Sequence, residues 1–501
     1  MRGHRGPSRF WIMAVILTLC MVPLLNPSLS HSANTRIEKD SLGEREIPID
    51  AYWGVQTLRA IENFPYNSHQ LKRFPNFIIA YAYIKKAAAF ANNELGILPK
   101  EKMTAIVQAC DEIIAGKLHD QFPIDMIQGG AGTSTNMNVN EVIANRALEI
   151  LGHQKGEYQF LHPNDDVNLS QSTNDNYPSA CKLAVLIGLK SATKSITGLK
   201  GTLESKGAEF KDVIKMGRTE MQDAVPVTLG QEFNGFADTV NEALIQLNQA
   251  RDAFCKVNMG GTAIGTGLNS PPKYGPLVVK KMAELTGFPF VQCHDLVGAS
   301  SDGAGYVQMS GAFKRMGIGI SKIANDLRLM SSGPRTGFYE IELPALQPGS
   351  SIMPGKVNPV IPEVTSSIAY QLAGFDTTIT MAAELSSLEL NPVEAIIVYD
   401  LLMGVDLLDK GVSVFTTKCV AGIKANKDRC ATMVKSSIGL VTALNPVLGY
   451  EKSAAIAKES LASGRPVYDL VLEKGWLSKE QLDDMLKPEN MTQPREWPKL
   501  Q

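Results

Sequence analysis

Four long runs of helix-forming residues, at about 179–210, 228–257, 301–330 and 362–385, constrain this chain more than any other feature. Each is at least about twice the usual helix length of eleven or twelve residues. Long helices bury their apolar stripes mainly against one another, so a bundle is the natural packing. Shorter helices precede them. Across residues 99–116, Met103, Ile106, Cys110, Ile113 and Ile114 keep the three-to-four spacing of one buried face, with Pro opening the run and Gly closing it. Residues 77–95 read the same way and stop before Gly96. The expected fold is all-α: a central bundle (172–423) flanked by two smaller, mostly helical parts (34–171 and 424–501). Ser478 and Gln481 form a plausible capping box in the last part.

Bulk properties exclude several function classes. At 501 residues, 44% hydrophobic and net charge −2, this is an ordinary globular composition of two to four domains. Without a surplus of cations to displace counterions, a nucleic-acid partner is not expected. Lys85-Lys86 and Lys280-Lys281 read as solvated helix faces. Residues 1–33 differ: Arg2, Arg5 and Arg9 precede an apolar, uncharged stretch over 10–25, followed by the small residues Ser28, Ser30, Ser32 and Ala33. That pattern is a secretory signal peptide, with an uncleaved anchor as the alternative, and it implies a periplasmic or secreted protein. Cys20 lies in that segment. Cys110, Cys181, Cys255, Cys293, Cys419 and Cys430 have no zinc-ligand spacing and read mostly as core thiols, with one disulfide left open.

The chemistry is concentrated in loops. Gly349-Ser350-Ser351-Ile352-Met353-Pro354-Gly355-Lys356-Val357-Asn358-Pro359 places two hydroxyls, a cation and an amide in a segment that Pro and Gly keep out of helix and strand. Such a loop can grip a carboxylate and attack an atom beside it. Gly129-Gly130-Ala131-Gly132-Thr133-Ser134-Thr135-Asn136-Met137-Asn138 and Gln171-Ser172-Thr173-Asn174-Asp175 lack Lys and Arg, so anion binding there would come from hydroxyls and N–H groups near helix N-termini. Gly217-Arg218-Thr219-Glu220-Met221-Gln222-Asp223-Ala224 adds a Thr among charged groups. The Gly-rich 260–267 is not a dinucleotide loop, because a long helical run precedes it.

In these four motifs, in this order, the chain resembles the fumarase/aspartase superfamily from about Arg36 to its end. Its opening, Arg36-Ile37-Glu38-Lys39-Asp40 through Gly54-Val55-Gln56-Thr57-Leu58-Arg59-Ala60, and its Gly152-His153-Gln154-Lys155-Gly156-Glu157-Tyr158 are similar to the aspartase branch. The resemblance implies a homotetramer with a twenty-helix core, active sites whose loops come from three subunits, and reversible removal of ammonia from L-aspartate to give fumarate. It makes Ser350 the base that takes the C3 proton as an alkoxide. Thr133, Ser172, Thr173 and Ser351 would hold the β-carboxylate, Lys356 and Asn358 the α-carboxylate, and Asn174 and Thr219 the amino group. Met353 belongs to the substrate loop, and Glu363 would support it from behind. No metal or organic cofactor is implied. The chain departs from the family at Glu220, where relatives carry His or Gln. A carboxylate there would favour an ammonium-bearing substrate. A class II fumarate hydratase, a lyase for another amino-dicarboxylate, and an inactive relative remain as alternatives.

Overall fold

The computed structural model describes residues 34–496; the proposed signal segment lies outside them. An antiparallel hairpin, β1 (Thr35–Asp40) and β2 (Gly43–Pro48), opens the chain, in register from Thr35 opposite Pro48 to Asp40 opposite Gly43. Helices α1 (Val55–Asn63), α2 (Pro75–Glu94), α3 (Lys100–Ile114) and α4 (Thr133–Ile150) follow. Then come α5 (Thr173–Glu209), the hairpin β3 (Ile214–Thr219) and β4 (Gln222–Thr228), and α6 (Leu229–Phe254). Short elements β5 (Lys256–Val257), α7 (Tyr274–Thr286), β6 (Val291–Gln292) and α8 (Leu296–Ala299) lead to α9 (Ala304–Met330). After β7 (Ile341–Glu342) the chain forms α10 (Val360–Glu384) and α11 (Glu394–Lys418). About 62% of the structure is helical and the strands are short, as an all-α fold requires.

Helices α5, α6, α9, α10 and α11 pack side by side as the bundle. The first four cover the four long runs read from the sequence. The fifth, α11, is absent from the runs read above although it has a stripe: Ile397, Leu401, Val405, Leu408, Val412 and Phe415 are buried at three-to-four spacing, while apolar residues outside that stripe, such as Ile396, Met403 and Val414, blur the period. Helix α5 also begins earlier than Pro178 suggests, at Thr173. Proline lacks the N–H that would bond to the carbonyl four residues back. That carbonyl, on Asn174, instead accepts from Asn258 Nδ2 at 2.9 Å, so the helix continues through the proline.

The chain ends with β8 (Lys424–Ala425), which pairs with β7, and helices α12 (Lys427–Ser436), α13 (Val441–Leu448), α14 (Tyr450–Ser463), α15 (Val467–Glu473), α16 (Lys479–Met485) and α17 (Pro488–Met491). Ser478 and Gln481 do form a capping box at α16. A second apolar cluster, including Val434, Leu444, Ile456, Leu470 and Leu482, takes in Met216 from β3. The β3–β4 hairpin therefore packs against the C-terminal helices, and Ser437 Oγ donates to Asp223 Oδ2 at 2.8 Å. Among the described residues all six cysteines are free, and only Cys293 is not buried.

Candidate active site

The chemistry-bearing motifs fall into three places. The first is built where α4 and α5 begin. Gly132 precedes α4 with φ +84°, and a Cβ there would lie 2.3 Å from the Tyr177 ring, so only glycine fits between the two helix starts. Thr133 is thus the first residue of α4, exposed at a helix N-terminus; the motif Thr133–Asn138 is helix and not loop. Ser172 caps α5: its Oγ accepts from Asn174 N at 3.2 Å, while Asp175 Oδ1 accepts from Ser172 N at 2.9 Å. The other Asp175 oxygen accepts from Gly260 N and Thr262 N, both at 3.0 Å. The glycine-rich segment is a brace for this cap. Asn174 Nδ2 is engaged as well, donating to Ala263 O at 2.7 Å.

Behind this corner lies a group that sequence reading missed. Lys85 is wholly buried and donates to Asn136 Oδ1 at 2.7 Å, Asn168 Oδ1 at 2.9 Å and Gln171 Oε1 at 2.9 Å. Its partner in the doublet, Lys86, faces out to Asp111. The expectation of two solvated lysines is therefore half wrong. The available signal was position: Lys85 sits four residues after Tyr81 and three before Ala88, on the buried stripe of α2. Burial pushes its pKa down, against the pull of Asp175 and of the three amide oxygens, which favour the ammonium; burial likewise raises the Asp175 carboxyl to about 7. Asn136 Nδ2 in turn donates to Thr173 Oγ1 at 3.1 Å, which ties the first two motifs into one corner of a single chain.

The second place is the turn of the β3–β4 hairpin. Thr219 and Gln222 pair across it, leaving Glu220 (φ +52°) and Met221 (φ +67°) as a two-residue turn with both residues left-handed. That geometry ordinarily selects Asn-Gly. Here an acid and a thioether are held exposed in a strained conformation. Below the turn, Arg218 donates from Nη1 to the fully buried Glu340 carboxylate at 2.8 Å and stacks 4.1 Å from the Phe338 ring centroid. Lys215 lies 3.4 Å from Glu340 and 2.8 Å from Glu232.

The third place is the loop 349–359. Ser350 Oγ accepts from two backbone groups, Ile352 N at 3.2 Å and Met353 N at 3.1 Å. Two N–H dipoles aimed at one oxygen form a small anion-binding nest. The loop closes on itself through Gly349 N to Lys356 O and Asn358 Nδ2 to Gly349 O, each 2.7 Å. A Cβ on Gly349 would meet Asn358 N and Lys356 O at 2.8 Å, so the closure needs glycine. Ser351, Met353 and Lys356 are exposed, and Ile352 is 83% exposed. The Lys356 ammonium makes no hydrogen bond or ion pair among the described residues.

No hydrogen bond or ion pair among the described residues joins these three places to one another. A cavity of about 610 Å³ contains Glu220 and Met221, and a separate one of about 510 Å³ contains Lys356 and Asn358. Neither is lined by Ser172, Thr173 or Thr133. The single chain presents a hydroxyl-bearing corner at two helix N-termini, an acidic turn and a serine loop as separate surfaces.

Comparison with known proteins gives these surfaces a common context. Residues 43–374 match a lyase family and residues 440–493 match the fumarase C C-terminus family. The chain is 54% identical over 464 residues to an aspartate ammonia-lyase of Helicobacter pylori, covering 93% of this chain and 99% of that one. A fumarate lyase:delta crystallin of Brucella melitensis, solved bound to cobalt, superposes with TM-score 0.89 at 52% identity, covering 92% of this chain and 100% of the other. A class II fumarase of Schistosoma mansoni superposes with TM-score 0.87 at 35% identity, covering 91% and 99%.

Proposed function

Since this chain belongs to the fumarase/aspartase superfamily of lyases, we propose that it catalyses the reversible deamination of L-aspartate to fumarate and ammonia. The observation that carries this reading is the greater likeness, along nearly the whole chain, to the aspartate ammonia-lyase than to the class II fumarase.

The difficult step is removal of the C3 proton beside a carboxylate that is already anionic. The resulting enediolate carries an extra charge, which the site must stabilise where it develops. Ser350 takes the proton as an alkoxide. The N–H groups of Ile352 and Met353, already directed at its oxygen, favour that anion, and the nearby Lys356 adds positive charge. Thr133, Ser172, Thr173 and Ser351 hold the β-carboxylate, helped by the two helix N-termini at Thr133 and Thr173. Lys356 and Asn358 hold the α-carboxylate. Asn174 and Thr219 hold the amino group, and the Glu220 carboxylate faces its positive charge.

These groups converge when copies of the chain assemble. The homotetramer is supported by the separation of the three places and by large apolar residues left exposed, with Tyr370 67% and Met381 70% exposed on α10. The corner formed by Thr133 and Thr173 comes from one subunit, and the acidic turn and the serine loop from others. An exported location is supported by the arginine-headed apolar segment within residues 1–33.

The test is to offer L-aspartate, then L-malate, to purified residues 34–501. Fumarate and ammonium appear in equal amounts from aspartate and nothing from malate. Fumarate from malate alone overturns the reading in favour of a hydratase. Silence with both points to another amino-dicarboxylate.

A further inference from the structure

We propose that Lys85 and Asn136 act as positioning residues that fix the direction of the Thr173 hydroxyl, turning its hydrogen toward the substrate. This rests on the reading above that Thr173 holds the β-carboxylate.

The argument is a count of donors and acceptors. An ammonium can only donate. The three partners of Lys85 must therefore each present oxygen, and this settles the orientation of all three amides. With Oδ1 facing Lys85, Asn136 turns Nδ2 the other way, where its two hydrogens reach Asn168 Oδ1 and Thr173 Oγ1, each at 3.1 Å. The rest of the set closes in the same sense. Asn168 Nδ2 donates to Gln171 O at 3.2 Å, and Gln171 Nε2 donates to Val167 O at 3.0 Å. Thr173 Oγ1 is thus an acceptor on its protein side, and it donates to no described group. Its own hydrogen has to point away from Asn136, out of the corner beside Ser172. A threonine hydroxyl left to itself would rotate among several directions. Here a buried cation, acting through one amide, leaves it poised to donate to an oxyanion before the charge forms. Burial supports the same assignment, since Lys85, Asn136 and Thr173 are 0%, 2% and 8% exposed and water does not compete for these bonds.

The test is a double-mutant cycle with L-aspartate on the assembled enzyme. Asn136→Asp keeps an acceptor for Lys85 but replaces the donor facing Thr173 by an acceptor, which draws the hydroxyl hydrogen inward. Thr173→Val removes the hydroxyl. Each single variant is expected to lose on the order of 10²-fold in kcat with KM changed less than about threefold. The double variant is expected to fall no more than about threefold below the worse single. Losses that multiply to about 10⁴-fold overturn the proposal, as does an Asn136→Asp enzyme with wild-type kcat. Should Asn136→Asp not assemble, Thr173→Ser decides. A direction set through Asn136 leaves that variant within about fivefold of wild type, whereas a direction set by the threonine methyl makes it as poor as Thr173→Val and overturns the proposal. A Thr173→Val enzyme with unchanged kcat/KM shows instead that the underlying reading of Thr173 is wrong, and the inference falls with it.

Discussion

Replacing Glu340 by glutamine should both destabilise the protein and slow it, for one structural reason. Glu340 is fully buried where β3 meets the segment leading to the serine loop. Its carboxylate lies 2.8 Å from Arg218 and 3.4 Å from Lys215, whose side chains are 13% and 3% exposed. At an effective dielectric of about 20, such separations correspond to attractions of about 6 and about 5 kcal/mol. Desolvation of the charges and repulsion from Glu232 offset much of this. Measured losses on removing one partner of a buried pair run at about 3–5 kcal/mol. Glutamine still offers Arg218 an acceptor oxygen, which places Glu340→Gln near 3 kcal/mol. Arg218 adjoins Thr219 and the Glu220 turn, so a loosened Arg218 displaces groups that meet the substrate. A misplacement of about 1 Å can cost about 10²-fold in rate. The assay is the denaturant midpoint at fixed protein concentration together with kcat/KM for L-aspartate. Glu232→Gln, at a side chain 25% exposed where burial of the carboxyl opposes its attraction to Lys215, serves as a control that stays within about 1 kcal/mol of wild type. A Glu340→Gln protein within about 1 kcal/mol of wild type and equally active would refute the reasoning.

Three further outcomes are expected. Met221→Gly relieves a left-handed non-glycine residue and should raise stability by about 1 kcal/mol, read as a higher unfolding midpoint; a lower midpoint would count against strain in the turn. Glu220→Gln should raise KM for aspartate about fivefold by weakening the attraction for the ammonium, and an unchanged or lower KM would remove that role. Glu394 accepts from the Tyr306 hydroxyl at 2.5 Å, and burial raises its carboxyl to about 7, above its ordinary 4.5. A group raised in the folded state contributes stability below its unfolded pKa and loses it as pH climbs through the folded one. Glu394→Gln should therefore gain on wild type by on the order of 3 kcal/mol between pH 4.5 and 8. Parallel melting curves of the two proteins across that range would contradict it.

The helices that were legible in the sequence were those with one apolar stripe, such as α3 and α9, because a half-buried helix writes its period into the chain. Helix α11 has such a stripe too, but apolar residues outside it, such as Ile396, Met403 and Val414, blur its period. Pro178 marked a boundary by its own chemistry, and only a side chain from 80 residues away, Asn258, cancels that signal. The site residues were visible as types, since hydroxyls, amides and a lysine among glycines are costly unless they bind something. Their arrangement was less visible. Lys85 reads as a surface charge until α2 is seen to turn it inward against three amides. The Glu220 turn was invisible as a turn, because Glu-Met carries none of the residues that favour left-handed backbone.

The most direct test of the central claim is the rate of fumarate formation from L-aspartate by Ser350→Ala compared with wild type, with both shown to have the same assembly and unfolding midpoint. Loss of the base predicts a fall of about 10²–10⁴-fold in kcat. A Ser350→Ala enzyme within about tenfold of wild type would contradict it and move the C3 proton to another group.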